Sequence, residues 1–202
     1  MSIISVCVNC GSNPGTQPEY LELAQALGAY LGERGIRLVY GGSSVGLMGA
    51  VADAALASGG EVLGVIPTAI YERVGYEGEA EIEIVDSMHA RKDRMFHSSD
   101  AFIALPGGIG TLEELFELLT WAQLGFHSKP IGLLSVHGYY DKLRDFLAHA
   151  AAEGFVKSVH LEMLLHAETP AGLMTEFERY RAPTDHKWTQ LDLSVDASGA
   201  PG

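Results

Sequence analysis

The sequence predicts an α/β fold, a doubly wound, Rossmann-like parallel sheet forming a single domain. Three observations carry that expectation. Short apolar runs of strand length alternate with longer stretches whose apolar residues recur at helical spacing. Strands separated by helices of this length pair in parallel through right-handed crossovers. Glycine-rich turns follow two of the apolar runs and lead directly into helices. The chain has 202 residues, 47% hydrophobic and 19% charged, which supplies one substantial core without requiring a second.

The elements follow in order. Residues 3–8 form the first strand and residues 18–34 an amphipathic helix, with Leu21, Leu23, Ala24, Leu27 and Leu31 as its apolar positions. Residues 36–40 are the second strand. The loop GGSSVG, residues 41–46, opens a helix LMGAVADAALASG that ends at Gly59 and Gly60, and residues 61–66 give a third strand stopped by Pro67. Residues 67–80, rich in Gly and Glu, read as an irregular excursion before the short alternating run 81–85. A helix over 88–98, a strand over 101–105 and a glycine turn leading into a helix that begins near Thr111 come next. The alternation continues with a strand at 130–136, a helix at 139–153 and a short strand at 163–166. Thr169-Pro170 reads as a helix N-cap with proline at the first position, and that helix ends around Tyr180. From Pro183 apolar periodicity is lost, so residues 1–182 are expected to form the domain and 183–202 a mobile C-terminal tail.

The most informative segment is PGGIGTLEE, Pro106 to Glu114. Gly107, Gly108 and Gly110 permit positive φ and let backbone N–H groups approach a ligand, while the following helix start directs unpaired N–H groups and its positive dipole end to the same place. An anion is the natural occupant. A plainer alternative is that Thr111-x-x-Glu114 is a capping box, in which Glu114 only satisfies backbone N–H at its own helix start. Three glycines within four residues exceed what a cap requires. In doubly wound sheets ligands sit beyond the carboxyl ends of the strands, so both glycine loops, 41–46 and 107–110, are expected to open onto one crevice.

Charge and composition exclude several classes. The formal net charge of −13 argues against a nucleic-acid surface, which needs a basic face. No apolar run approaches the ~20 residues of a membrane span, and the start MSIISVCVNC lacks a charged n-region, which reads as cytoplasmic. Neither glycine loop carries a Walker lysine, and the turn Gly11 to Gly15 lacks G-x-G-x-x-G spacing, which disfavours a nicotinamide dehydrogenase. Cys7 and Cys10 are spaced C-x-x-C, but no second pair of zinc ligands stands nearby, and they read as buried and reduced rather than as a redox pair. No metal and no cofactor are expected. Arg94 reads as part of a solvated face and His89 and His97 as surface residues. Trp121, with Leu118 and Leu124, reads as core or dimer interface rather than a stacking platform.

Four segments, CVNCGSNPG (7–15), GGSSVGLMGAVADAAL (41–56), MHARKDRM (88–95) and LPGGIGTLEELFELLTWAQLG (105–125), together resemble the Lonely Guy (LOG) family of cytokinin riboside 5′-monophosphate phosphoribohydrolases. The similarity runs from about residue 5 to 180, and MHxRK followed by PGGxGTxEE is more specific than either motif alone. Similar proteins often carry the label lysine decarboxylase. A pyridoxal enzyme needs a Schiff-base lysine in its own setting, and Lys92 is already part of MHxRK. The resemblance implies that residues 1–182 are a nucleotide-binding catalytic domain. It implies hydrolysis of the N-glycosidic bond of N6-modified adenosine 5′-monophosphates, with AMP itself often accepted, by a homodimer; the charge and the lack of a membrane span add that neither nucleic acid nor membrane is a partner. Carried over by motif, Arg91 and Glu114 match the catalytic pair. Gly107, Gly108, Ile109, Gly110, Thr111, Leu112 and Glu113 match the phosphate and ribose contacts. Met88, Lys92 and Thr120 fall at further ligand-lining positions, and Glu72 is the nearest match to an upstream ligand-contacting glutamate. The chain departs from the commonest family pattern at Ser43, where a third glycine is frequent, and at Ile109, where an aromatic often stands.

Elementary chemistry supports these roles. Breaking a ribosyl bond builds positive charge on the sugar, which a carboxylate beside the anomeric carbon stabilises while it orients or deprotonates water. The permanently charged fork of Arg91 suits phosphate or ribose, a glutamate partner, or the departing base. A different class of function stays open at this point. The same glycine loops would serve a nucleotide or phosphorylated-cofactor carrier, with Glu114 as a cap.

Overall fold

The computed structural model describes residues 3–184. Seven strands form one sheet in the order β4-β3-β2-β1-β5-β6-β7. They are β1 (Ser5–Asn9), β2 (Arg37–Tyr40), β3 (Val62–Pro67), β4 (Glu81–Val85), β5 (Ala101–Ala104), β6 (Ile131–Leu134) and β7 (Leu164–Ala167). Every pairing is parallel. Eight helices are described, seven between strands and the last after β7: α1 (Pro18–Glu33), α2 (Gly46–Ala57), α3 (Thr68–Val74), α4 (Met88–His97), α5 (Ile109–Gln123), α6 (Asp141–Ala152), α7 (Ser158–Leu161) and α8 (Pro170–Arg179). This is the single α/β domain expected, wound in both directions from β1.

The central strands are apolar throughout because both faces of a parallel sheet are covered. Side-chain alternation sorts them into two cores. Val6, Val8, Leu38, Tyr40 and Ile103 face α1, α2 and α8, whereas Cys7, Val39, Leu63, Val65 and Phe102 face α4 and α5. Leu27 and Leu31 of α1 are fully buried, each worth about 2 kcal/mol in transfer terms. Helices α1 and α2 meet backbone to backbone, since a side chain at Gly28 would come within 2.9 Å of both Ala54 and Ala55. The Thr169 hydroxyl accepts a hydrogen bond from the Gly172 N–H, as expected of the N-cap of α8.

Three local expectations need correction. Residues 67–80 are not irregular throughout: α3 occupies Thr68–Val74 and ends at Gly75, whose φ of 63° terminates the helix. None of its side chains is buried, so Ile70, Tyr71 and Val74 leave no core-facing stripe to read. Pro67 is the last residue of β3, opposite Val85, because the end of a strand tolerates a missing N–H. The one-turn helix α7 was not foreseen; four residues are too few for a periodic signal. Of the expected tail 183–202, residues 185–202 lie outside the described residues.

Candidate active site

At the carboxyl ends of β1 and β5 the sheet changes direction, and a cleft of about 450 Å³ opens there. Its walls are the β1 exit turn from Cys10 to Gly15, the first turn of α2, α4, and the glycine turn with the start of α5. One residue joins three of these segments. The Gly11 N–H donates to the Pro106 carbonyl (3.0 Å), and the Gly11 carbonyl accepts from the Leu47 N–H (3.1 Å). The loop 41–46 meets the cleft only through the α2 residues that follow it, Leu47 and Met48.

Helix α5 starts at Ile109, with Gly108 as N-cap and no side-chain cap bond. The capping-box alternative therefore fails: Thr111 lies inside the first turn, buried against Gly107, and Glu114 lies a further turn along. The first-turn N–H groups, with no side chain to satisfy them, face a ligand or water. The glycines matter for a reason other than the one expected, since none of Gly107, Gly108 and Gly110 has a positive φ. A Cβ at Gly107 would collide with the Thr111 side chain and approach the Gly11 nitrogen to 2.9 Å, while at Gly108 and Gly110 it would meet nothing within 4 Å.

Arg91 and Glu114 meet below this turn. Helix α4 is opened by Ser87, whose hydroxyl accepts from the Ala90 N–H (3.1 Å), and one turn later Arg91 points inward. Its Nη1 lies 3.2 Å from Glu114 Oε1 and its Nε donates to the Val65 carbonyl at 3.2 Å. Both side chains are buried, at 6% and 9% exposure, yet both line the cleft. Burial pushes the Glu114 carboxyl above the ordinary glutamate range; the Arg91 guanidinium opposes that shift and the neighbouring Glu113 charge adds to it. Gly41 makes room for this arrangement, because any side chain there would overlap Arg91 Nη2.

Of the residues singled out from sequence, the cleft gathers Arg91, Glu114, Met88, Gly107, Gly108, Ile109, Gly110, Thr111 and Glu113. Ile109, 88% exposed, stands at the mouth. Four others lie outside the cleft of a single chain. Lys92 turns away and its Nζ contacts Glu113 at 2.6 Å and Glu117 at 3.0 Å. Burial lowers the Lys92 ammonium pKa, but the hydrogen bonds it donates to these two carboxylates more than offset that and leave the net shift upward, the reverse of what a Schiff-base lysine needs. Leu112 packs against the core, Glu72 is exposed on α3, and Thr120 is exposed further along α5 with its hydroxyl donating to the Phe116 carbonyl (2.7 Å). Cys7 and Cys10 belong to opposite cores as free, buried thiols, both pushed upward by burial.

Sequence reasoning missed Tyr20, Met48 and Tyr139 as cleft residues. Tyr139 stands beside a second tyrosine just after Gly138, at the carboxyl end of β6, and that position in an α/β sheet was the available signal. Among the described residues no cluster of three His, Cys, Asp or Glu side chains suits a metal ion, and no helix is long and apolar enough to cross a membrane.

The profile of a family described as "Possible lysine decarboxylase" matches residues 48–177. A probable cytokinin riboside 5′-monophosphate phosphoribohydrolase of Oryza sativa subsp. japonica is 50% identical over 195 residues, covering 96% of this chain and 78% of the relative. A cytokinin riboside 5′-monophosphate phosphoribohydrolase of Arabidopsis thaliana is 48% identical over 187 residues, covering 92% of this chain and 86% of the relative. Among solved structures, a molybdenum cofactor binding protein from Rippkaea orientalis superposes with a TM-score of 0.65 at 23% identity, covering 89% of this chain and 98% of that one. That last likeness is one of fold alone.

Proposed function

The chain belongs to the LOG family of cytokinin riboside 5′-monophosphate phosphoribohydrolases, and from that membership we propose that it hydrolyses the N-glycosidic bond of N6-modified adenosine 5′-monophosphates. The products are the free base and ribose 5-phosphate. AMP belongs to the same substrate class. The observation that carries the reading is the buried Arg91–Glu114 pair facing the same cleft as the uncapped first turn of α5.

In this reading the 5′-phosphate rests on the N–H groups of residues 107–111 and the positive end of α5. Glu114 lies one turn further along the same helix, so a single rigid element fixes both the substrate's tail and its reacting sugar. As the C1′–N bond breaks, its electron pair leaves with the base and positive charge grows on the ribose ring, which the Glu114 carboxylate stabilises. A water oxygen then bonds to C1′ and its proton passes to Glu114, which hands it on to the departing nitrogen, directly or through solvent, and returns to the carboxylate. Arg91 orients Glu114 and offers its remaining donors to the ribose or the base. Leu47, Met48 and Met88 supply an apolar wall suited to a base with an apolar N6 substituent.

Thr120 enters the same proposal as a residue presented to a neighbouring subunit in a cytoplasmic homodimer. Supporting this, Thr120, Phe116, Leu119, Leu147 and Leu161 line an open, largely apolar groove between α5 and the α6–α7 region. Sedimentation at twice the chain mass is expected; a monomer refutes the dimer.

The test is chromatographic detection of free base after incubation with AMP and N6-isopentenyl AMP, with the corresponding nucleosides and Glu114→Gln as controls. Base should be released only from the monophosphates, and Glu114→Gln should retain nucleotide while losing about 10²–10³ in turnover. Saturable nucleotide binding without base release by the wild type would favour a carrier instead. A carrier, however, gains nothing from a buried carboxylate beside its anion.

A further inference from the structure

The cleft has one cationic side chain among its described lining residues, Arg91, and it is already paired with Glu114. Lys92 faces Glu113 and Glu117 instead. With that cation engaged, a phosphate in this cleft meets chiefly the main-chain N–H groups of the uncapped α5 start, beside the neutral donors Ser12, Asn13 and Thr111. Such a cradle works only while the carbonyls of the same turn point elsewhere, because the N–H and C=O of one trans peptide point in opposite directions.

Each carbonyl from residue 105 to 108 has a named donor. Leu105 accepts from the Tyr140 hydroxyl (2.6 Å), Pro106 from the Gly11 N–H (3.0 Å), Gly107 from the Tyr139 hydroxyl (2.6 Å) and Gly108 from the Leu112 N–H (3.1 Å). The Gly107 carbonyl differs from the others. Its peptide lies between two glycines, with no Cβ on either side to resist rotation, and its restraint is a side chain from a separate loop at the exposed rim. A flip of that peptide would turn a carbonyl oxygen toward the anion site and take the Gly108 N–H out of it. The Tyr139 ring is itself held edge-on by Tyr20 (centroids 5.6 Å apart) and Tyr140 (4.9 Å), so the hydroxyl meets Gly107 from a pre-set direction.

Resting on the phosphoribohydrolase reading for its ligand, we infer that Tyr139 is a positioning residue whose hydroxyl locks the Gly107–Gly108 peptide with its N–H toward the substrate phosphate. The hydroxyl performs this role and the ring only presents it.

The test is Tyr139→Phe, which keeps the ring and its packing. Titration calorimetry with ribose 5-phosphate should give a dissociation constant raised roughly tenfold, the value of one net hydrogen bond. KM for AMP should rise by a similar factor with kcat within about twofold, and adenosine binding should stay unchanged. Tyr140→Phe removes a hydrogen bond of the same length from the end of β5; it should lower thermal stability and leave ribose 5-phosphate affinity alone. Wild-type affinity for ribose 5-phosphate in Tyr139→Phe, no ribose 5-phosphate binding by the wild type, or equal weakening toward adenosine would each overturn the inference. If wild-type protein releases no base yet the Tyr139→Phe loss of ribose 5-phosphate affinity is seen, the positioning role stands and the hydrolytic reading falls.

Discussion

Gly41 lies just beyond β2, outside the glycine turn of α5, and its replacement by alanine isolates the contribution of the Arg91 setting. The backbone at Gly41 is not in the left-handed region, so alanine is conformationally acceptable there. The added methyl group would overlap Arg91 Nη2 and stand 3.2 Å from Cζ and 3.3 Å from Met48 Sδ. A guanidinium at the end of a flexible chain can retreat, but retreat surrenders the 3.2 Å contact with Glu114 and the 3.2 Å hydrogen bond to Val65. Deleting one partner of a buried pair costs about 3–5 kcal/mol; displacing it, with some re-solvation, should cost about 2 kcal/mol. For a domain of this size that is a fall in Tm of roughly 4–8 °C. Base release should fall about 10²-fold, because Glu114 loses its orienting partner. Thermal unfolding and base-release assays on Gly41→Ala, Arg91→Ala and the double variant complete a cycle. In the Arg91→Ala background, Gly41→Ala should add less than about 0.5 kcal/mol. Additive losses, or full turnover by Gly41→Ala, would refute the reasoning.

The Glu114 carboxyl and the glycine turn carry further outcomes. Glu114 acts as a carboxylate and its folded pKa is raised, so acidification protonates it sooner than an ordinary glutamate: the acid limb of kcat/KM should lie above the ordinary glutamate range. Glu113→Gln removes a negative neighbour and should move that limb to lower pH; movement upward would contradict the assignment. Gly107→Ala, pressed against Thr111 and the Gly11 backbone, should cost about 1–3 kcal/mol in stability, whereas Gly108→Ala should melt like wild type and raise KM, as read by paired thermal and kinetic measurements.

The strands and long helices were legible because burial on both sides of a parallel sheet writes continuous apolar runs, and helices such as α1 carry a stripe that repeats with the turn. Helix α3 was not, because a helix that buries nothing leaves no stripe. The glycine turn was recognised from its composition, but the start of α5 at Ile109 rather than near Thr111 depended on tertiary placement of Gly107 against Gly11, which no local pattern records. Arg91 and Glu114 were legible through two motifs. Their contact, and the role of Gly41 in admitting it, belongs to segments far apart in sequence. Tyr139 was missed because a tyrosine acting on a backbone carbonyl 32 residues away has no spacing rule.

The two hydrogen bonds through Gly11 splice the exits of β1 and β5 to the entry of α2, and they leave little freedom for any of those segments to swing aside alone. Among the described residues, exposed Ile109 stands at the mouth, and the segments spliced through Gly11 leave that side of the cleft open to solvent. A cleft whose described walls stay fixed needs no closing step from those walls, and it forgoes the dehydration that their closure would bring. For a transferase such a doorway would be a leak, because bulk solvent would intercept the activated sugar; for a hydrolase it is the supply line of the second reactant.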